Sequence, residues 1–293
     1  MLILPNQPWP ELRRRFLHVE ELGFDVAATA DHLVDWSNPS NPWFEAWTCL
    51  AAVAAETSRI RIMTCVSQIP LRNPAMLAHQ AVTLDHISNG RLEVGLGTGL
   101  VIDPSMQMMG MGNWLEGERV ARLDEYVEIV AQLMSQEVTT FEGKYYRIEG
   151  GVTSPGPIQR PRPPITIAAM GSKMMRHAVK HADTWNSLSF HEDFDDQLAE
   201  TRRRLDYVDT VCREIGRDPA TLRRSFTLFD PFARRSGGRL AYYENEEVFL
   251  ERVEPLLELS MTEIALYYPN LPEQVPMFEH LARSVCPELK AAH

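Results

Sequence analysis

The sequence predicts an α/β protein, a (β/α)8 barrel of the TIM type. Three observations carry that expectation. Short runs rich in β-branched residues alternate eight times with longer runs of helical period, which calls for parallel strands and right-handed crossovers. The chain has 293 residues, a length that suits eight such units. No linker or low-complexity stretch interrupts the pattern, so residues 1–293 read as a single domain. An open doubly wound sheet is the alternative topology.

The elements follow in order. "LILPN" opens as a short strand, and the helix after it carries Leu12, Phe16, Val19 and Leu22 at three- and four-residue steps. "FDVAATA" is the second strand. "NPWFEAWTCLAAVAAET" reads as a helix with Asn41 at the N-cap and Pro42 at the first helical position. Its buried stripe is Phe44, Trp47, Leu50 and Ala54. "RIRIMTCVS" is the third strand, and "NPAMLAHQAVTLDHI" repeats the helix start at Asn73-Pro74. "RLEVGLG" is the fourth strand, and a long helix runs from about Glu116 to Met134. "TTFEGKYYRIEG" then predicts a hairpin around Glu142-Gly143, and "SPGPIQRPRPP" an extended connection. Together, roughly residues 137–163 form an insertion. The alternation resumes with strand "ITIAAM", helix "SKMMRHAVKHA" and strand "TWNSLSF". A helix from Phe194 to Ile215 buries Phe194, Leu198, Leu205, Val208, Cys212 and Ile215. Strand "SFTLFD", helix "EEVFLERVEPLLEL", strand "TEIALYYP" and a helix around "MFEHLARSV" complete the pattern.

Charge and cysteine usage exclude several classes. A net charge of −11 makes a poor general binder of nucleic acid or anionic membrane. No run of about 18 apolar residues exists, so no membrane span is expected. The first residues lack a basic start and a continuous apolar stretch, so no signal peptide is expected. Cys49, Cys65, Cys212 and Cys286 show no CxxC spacing, which points to reduced thiols in a cytoplasmic protein.

Four stretches carry candidate chemistry. "RLEVGLGTGL" holds Gly95, Gly97 and Gly99. A dinucleotide fingerprint would need a third glycine where Leu100 stands, and would follow the first strand rather than the fourth. At the C-terminal mouth of a barrel strand the run lies where active sites form. It either lets a flat ring or phosphate approach the backbone or is a tight strand exit without a ligand. "TADHLVDW" puts Asp31 and His32 at the mouth of the second strand. His32 reads as a proton donor or acceptor near neutral pH, or as a core histidine bonded to a loop. Trp36 reads as a pocket wall or as packing under that loop. Cys65 and Val66 end the third strand, and Cys65 alone reads as an inert thiol. In "IAAMGSKMMRHA" a strand ends at Met170 and Gly171 leads to Ser172 as N-cap. The first-turn N–H groups there make an anion site, with plain capping as the competing reading.

Two weaker features remain. Met106, Met108, Met109 and Met111 read as an adaptable substrate wall or as packing filler. His177 and His181 share a helix face at the spacing of a metal pair. The sequence offers no third ligand at a fitting spacing, so no metal is expected.

"ELGFDVAATADHL", "EAWTCLAAVAAETSRIRIMTCVS", "NPAMLAHQAVTLDHISNGRLEVGLGTG" and "ITIAAMGS…HADTWN" together resemble the bacterial luciferase-like oxidoreductases. The resemblance follows most of the chain in order and is strongest from Leu22 to Gly99. It implies a (β/α)8 barrel, usually dimeric, that uses reduced FMN or the deazaflavin coenzyme F-420. FMN-type members often carry Glu-His-His where this chain has Asp31-His32-Leu33, which is similar to the deazaflavin branch. The pair His32 and Trp36 resembles the hydride-transfer site of deazaflavin-dependent sugar-phosphate dehydrogenases. The resemblance also implies a non-proline cis peptide at Cys65–Val66. It places Gly97-Thr98-Gly99 beside the ring system and Met170-Gly171-Ser172 on the cofactor phosphate. Two departures stand out. Leu100 replaces a glutamate acid of the sugar-phosphate enzymes, and Met170 replaces the first glycine of a Gly-Gly pair.

The expected function is therefore F-420-dependent hydride transfer to or from a small organic substrate. His32 is the expected proton donor or acceptor. Asp31, Cys65, Val66, Gly97, Thr98, Gly99, Met170, Gly171 and Ser172 form the expected cofactor site. Trp36, Leu100 and Met109 line a substrate pocket that favours apolar surface, and Asp103 or Glu45 substitutes for the missing glutamate. A homodimer is expected, without nucleic-acid or membrane partners. The alternatives are an FMN-dependent monooxygenase and a non-catalytic flavin-binding barrel.

Overall fold

The computed structural model describes residues 1–233 and 235–292. The strands are β1 (Val26–Asp31), β2 (Arg61–Gln68), β3 (Leu92–Gly97), β4 (Thr139–Glu142), β5 (Arg147–Gly151), β6 (Ile165–Ala168), β7 (Thr184–Ser187), β8 (Arg223–Thr227) and β9 (Glu263–Ala265). Among the described residues, seven of them form one sheet in the order β1-β2-β3-β6-β7-β8-β9. Every pair in it is parallel. β4 and β5 stand apart as an antiparallel hairpin, with Phe141 opposite Ile148 and Glu142 opposite Arg147. The predicted insertion is thus real, and β3 pairs with β6 across it.

The first predicted strand shrinks to two isolated parallel bridges, Leu2 with Ala28 and Leu2 with Tyr267. Leu2 N–H donates to the Leu266 carbonyl at 2.7 Å, and Ile3 N–H donates to Ala28 at 2.8 Å. Residues 1–3 therefore tie β1, at one edge of the sheet, to the segment that follows β9 at the other.

The helices are α1 (Trp9–Glu21), α2 (Ala46–Glu56), α3 (Pro74–Ile87), α4 (Ser105–Met108), α5 (Glu116–Ser135), α6 (Ser172–His181), α7 (Phe194–Glu214), α8 (Glu246–Glu258), α9 (Val275–His280) and α10 (Cys286–Ala292). α3 starts as the sequence predicts, with the Asn73 side chain accepting from Ala75 N–H and Pro74 in the first turn. α2 does not. It begins at Ala46, where the Glu45 carboxylate accepts from the N–H groups of Trp47 and Thr48. A carboxylate there both satisfies orphan donors and meets the positive end of the helix dipole. Asn41 and Pro42 lie in the preceding loop, and Phe44 is exposed rather than part of the buried stripe. In α6 the N-cap is Gly171, so Ser172 is the first helical residue and caps nothing. In α7 Phe194 and Leu198 are half-buried and Ile215 is exposed, while Gln197 and Thr201 are buried instead.

The core joins both layers. Ile62, Leu92, Val94, Ile165, Ile167, Trp185 and Phe226 come from the sheet, and Phe16, Leu50, Leu77, Val127, Val208 and Phe249 from the helices. Each such side chain contributes roughly 1.5–3 kcal/mol by leaving water. This packing fixes the strand ends at which the polar residues converge.

Candidate functional site

The sheet register builds the site. Asp31 pairs with Ser67, and Gln68 with Gly97, so the ends of β1, β2 and β3 lie side by side. His32 follows directly on β1. Its Nδ1 lies 2.5 Å from Asp103 Oδ2, and Gln68 Nε2 lies 2.7 Å from the same nitrogen. Gln68 Nε2 also stands 2.9 Å from Asp103 Oδ2 and 3.0 Å from the Asp31 carbonyl. An amide has two protons, and these two oxygens use both. Nδ1 is then the donor to Asp103, which fixes the orientation of the ring. The Asp103 carboxylate is buried, which raises its pKa. Hydrogen bonds from His32, Ser105 and Gln68 outweigh the burial and hold it well below the usual carboxylate range.

Trp43 packs edge-on against His32, with ring centroids 5.6 Å apart. Its indole N–H is buried with no hydrogen-bond partner among the described residues. The sequence pointed to Trp36, which is half-buried, and the structure adds Trp43 as a tryptophan that meets His32. Gln68 was also missed. Its only signal was a polar residue at the end of an apolar strand.

The other predicted residues divide into backbone and side-chain cases. The Asp31 carboxylate is buried and paired with Arg72, whose second amino group also reaches Glu45 at 3.2 Å. Neither carboxylate is a spare acid, because Asp31 holds Arg72 and Glu45 caps α2. The Cys65–Val66 peptide is cis, as the resemblance implied. The Cys65 side chain packs with Leu2, Ala28 and Met63, and burial pushes its thiol pKa up. The residue is half-buried and also lines a cavity inside the sheet.

The glycine run answers to packing. A Cβ on Gly95 would fall 1.8 Å from the Thr64 carbonyl oxygen, and one on Gly97 2.6 Å from Val66 Cγ2. Gly99 has φ +74, and a Cβ there would fall 2.2 Å from Gln68 Oε1. The glycines let β3 lie tightly on β2 and turn away behind Gln68. Arg119, buried on α5, secures this turn. It donates to the Thr98 carbonyl at 3.1 Å, and it bonds Asn113 and the Trp114 carbonyl. Leu100 and Met109 are half-buried in the loop that follows, while Met106 is buried and Met108 and Met111 are exposed.

Met170-Gly171-Ser172 leave the sheet from β6, next to β3. A Cβ on Gly171 would meet nothing within 4 Å, and the first turn of α6 has no side-chain cap. Its N–H groups are thus available to an anion.

The sequence offers no third ligand for His177 and His181 at a fitting spacing, and the fold brings one candidate to them. Asp124 of α5, far away in sequence, brings a carboxylate oxygen to both rings. A cavity of about 1030 Å³ lies toward the opposite strand ends near Val26, Arg61, Glu93, Arg223 and Glu263. It does not include His32. No helix among the described residues is long and apolar enough to cross a membrane.

Residues 2–270 match the luciferase-like monooxygenase family. Similar proteins include an F420-dependent glucose-6-phosphate dehydrogenase of Segniliparus rotundus, 34% identical over 59% of this chain and 51% of that protein. Another of the same name, from Nocardia farcinica, is 30% identical over 83% of this chain and 68% of its own length. The chain spans about half the length of the first of these relatives. Among solved structures, an F420-dependent secondary alcohol dehydrogenase aligns with TM-score 0.79 at 17% identity, covering 97% of this chain and 98% of that one. The coenzyme F420-dependent tetrahydromethanopterin reductase of Methanopyrus kandleri aligns with TM-score 0.78 at 17% identity, covering 98% of each chain. These likenesses agree with the parallel α/β fold. The match over residues 2–270 places this chain in the luciferase-like monooxygenase family.

Proposed function

We propose that this protein is a coenzyme F420-dependent oxidoreductase that transfers hydride to or from a small organic substrate, with His32 handling the proton. The observation that carries the reading is His32 itself, fixed through Nδ1 by Asp103 at the C-terminal end of β1. The names of the F420-dependent relatives support the choice of cofactor. We also read the sheet as a closed eight-unit barrel in a single domain. The two bridges of Leu2, one to each edge, support that closure.

The residues fit the cofactor. Among the described residues, the Trp43 N–H is a buried donor without a partner beside His32, and Gly171 leaves open space in front of an uncapped helix start. The phosphate would sit on the first-turn N–H groups after Gly171, where peptide dipoles favour an anion. The backbone of Cys65, Val66 and Gly97–Gly99 would flank the ring system. When bound, the coenzyme supplies a carbon that accepts or returns a hydride.

The chain's own residues do the rest. Oxidation of an alcohol carbon releases a hydride and a hydroxyl proton. His32 Nε2 takes that proton, and in reduction it returns the proton to the carbonyl oxygen. Asp103 keeps the ring oriented and faces the positive charge that then forms. Leu100 provides no acid, so His32 works without a neighbouring glutamate. Val101, Ile102, Met108, Met111 and Leu115 expose apolar surface in the loop after β3, which supports a substrate with apolar character. Parallel equilibrium titrations with F420 and FMN test the reading. Tight F420 binding with weak FMN binding is expected. Tight FMN binding without F420 binding would favour the monooxygenase reading instead.

A further inference from the structure

The outer helical layer holds a second chemical cluster. His177 and His181 stand one turn apart on α6, and Asp124 faces them from α5. Asp124 Oδ1 lies 3.0 Å from His177 Nδ1 and 2.7 Å from His181 Nε2. The three candidate ligand atoms all lie within 4.8 Å of one another. Ligands of a tetrahedral zinc ion stand about 3.3–3.6 Å apart, given bonds of about 2.0–2.2 Å. The carboxylate–imidazole distances of 3.0 and 2.7 Å must therefore widen by roughly 0.3–0.9 Å to admit an ion. The imidazole side chains are 21% and 11% exposed and the carboxylate 34%, so the trio is sheltered but within reach of water.

We propose that Asp124, His177 and His181 form a binding site for a divalent transition ion of the zinc class, with water as the fourth ligand. Two imidazoles and one carboxylate are a ligand set for that class, whereas magnesium or calcium would call for more oxygens. The ion bridges two helices, so it staples α6 to α5. α6 is the helix whose other end begins at Gly171. Lys180 is the competitor, with Nζ 3.2 Å from the same carboxylate oxygen. Its side chain is 52% exposed and is free to swing outward when an ion enters.

The test uses the whole protein after dialysis against chelator, titrated with Co²⁺ by visible spectroscopy and with Zn²⁺ by calorimetry. One equivalent is expected, with Co²⁺ bands of a four-coordinate nitrogen and oxygen site. At a Zn²⁺ concentration 100-fold above Kd, Tm should rise by roughly 5 °C. His181→Ala and Asp124→Asn should each weaken binding at least about tenfold and abolish the Tm rise. Lys180→Ala should tighten binding, because it removes the competing ammonium. Circular dichroism of the metal-free variants checks folding, and His177→Gln replaces either variant that fails it. A plain ion-pair cluster predicts the opposite. No stoichiometric binding, or full affinity retained in the ligand variants, would overturn the proposal.

Discussion

Asp103 Oδ2 lies 2.5 Å from His32 Nδ1, a contact between residues 71 positions apart in the chain. The β1 end supplies the imidazole and the loop after β3 supplies the carboxylate. Gln68 from β2 lies between them and donates to both the Asp103 carboxylate and the Asp31 carbonyl. Three successive units of the sheet are thus locked around one imidazole ring, which is the positioning the proposed proton transfer needs.

The kinetic consequence concerns kcat. His32→Ala should lower kcat about 10²–10⁴-fold with bound cofactor, the usual worth of a positioned acid or base. Asp103→Asn should lower kcat about tenfold or more while leaving the cofactor Kd unchanged, because it alters only the ring's tautomer and orientation. Steady-state kinetics beside a binding titration check both. Unchanged turnover in His32→Ala would remove His32 from the mechanism.

Acid stability follows from the same carboxylate. The folded-state pKa of Asp103 lies below its unfolded value because its hydrogen bonds outweigh burial. Its contribution is therefore present in full above the unfolded value, about 3.9, and is lost as pH falls toward the folded value. Asp103→Asn should cost about 1.5–3 kcal/mol near neutral pH, the range for hydrogen bonds to a buried charge. Denaturation curves of wild type and variant should begin to converge only below about pH 4 and meet as pH nears the folded value.

Arg72 and Asp31 form a buried pair whose partners are unequal. Arg72→Leu leaves the Asp31 carboxylate buried and uncompensated, which should cost about 3–5 kcal/mol. The double variant Arg72→Leu, Asp31→Leu should recover much of that loss, because no orphan charge remains. Urea denaturation of the two variants decides it.

The glycines separate by what surrounds them. Gly95→Ala drives a methyl against the Thr64 carbonyl, so it should destabilise by about 1–3 kcal/mol or more. Gly171→Ala enters open space, so stability should stay within about 0.5 kcal/mol. Any effect of Gly171→Ala should appear in cofactor binding, not in Tm.

The sequence was most legible where local chemistry decides structure. Asn73-Pro74 caps α3 as read, and the hairpin forms around Glu142-Gly143, where local turn chemistry carries the signal. Asn41-Pro42 carried the same signal, yet Glu45 took the helix start. Its carboxylate reaches two N–H groups and is itself held by Arg72 from the next unit. The site followed the same rule. His32 and the glycine run could be placed from strand order, but the contact of Trp43 with His32 depends on the path of one loop. Asp124 lies 57 positions from His181, and no spacing rule joins a helix to a residue on its neighbour. Asp103 as the partner of His32 has the same cause.

Amide hydrogen exchange, measured with and without F420, tests the central claim most directly, because it reports both binding and place. Protection should concentrate at residues 65–68, 97–100 and 171–175, the backbone that would surround ring and phosphate. Protection confined to other segments, or no protection at saturating F420, would contradict a cofactor slot beside His32.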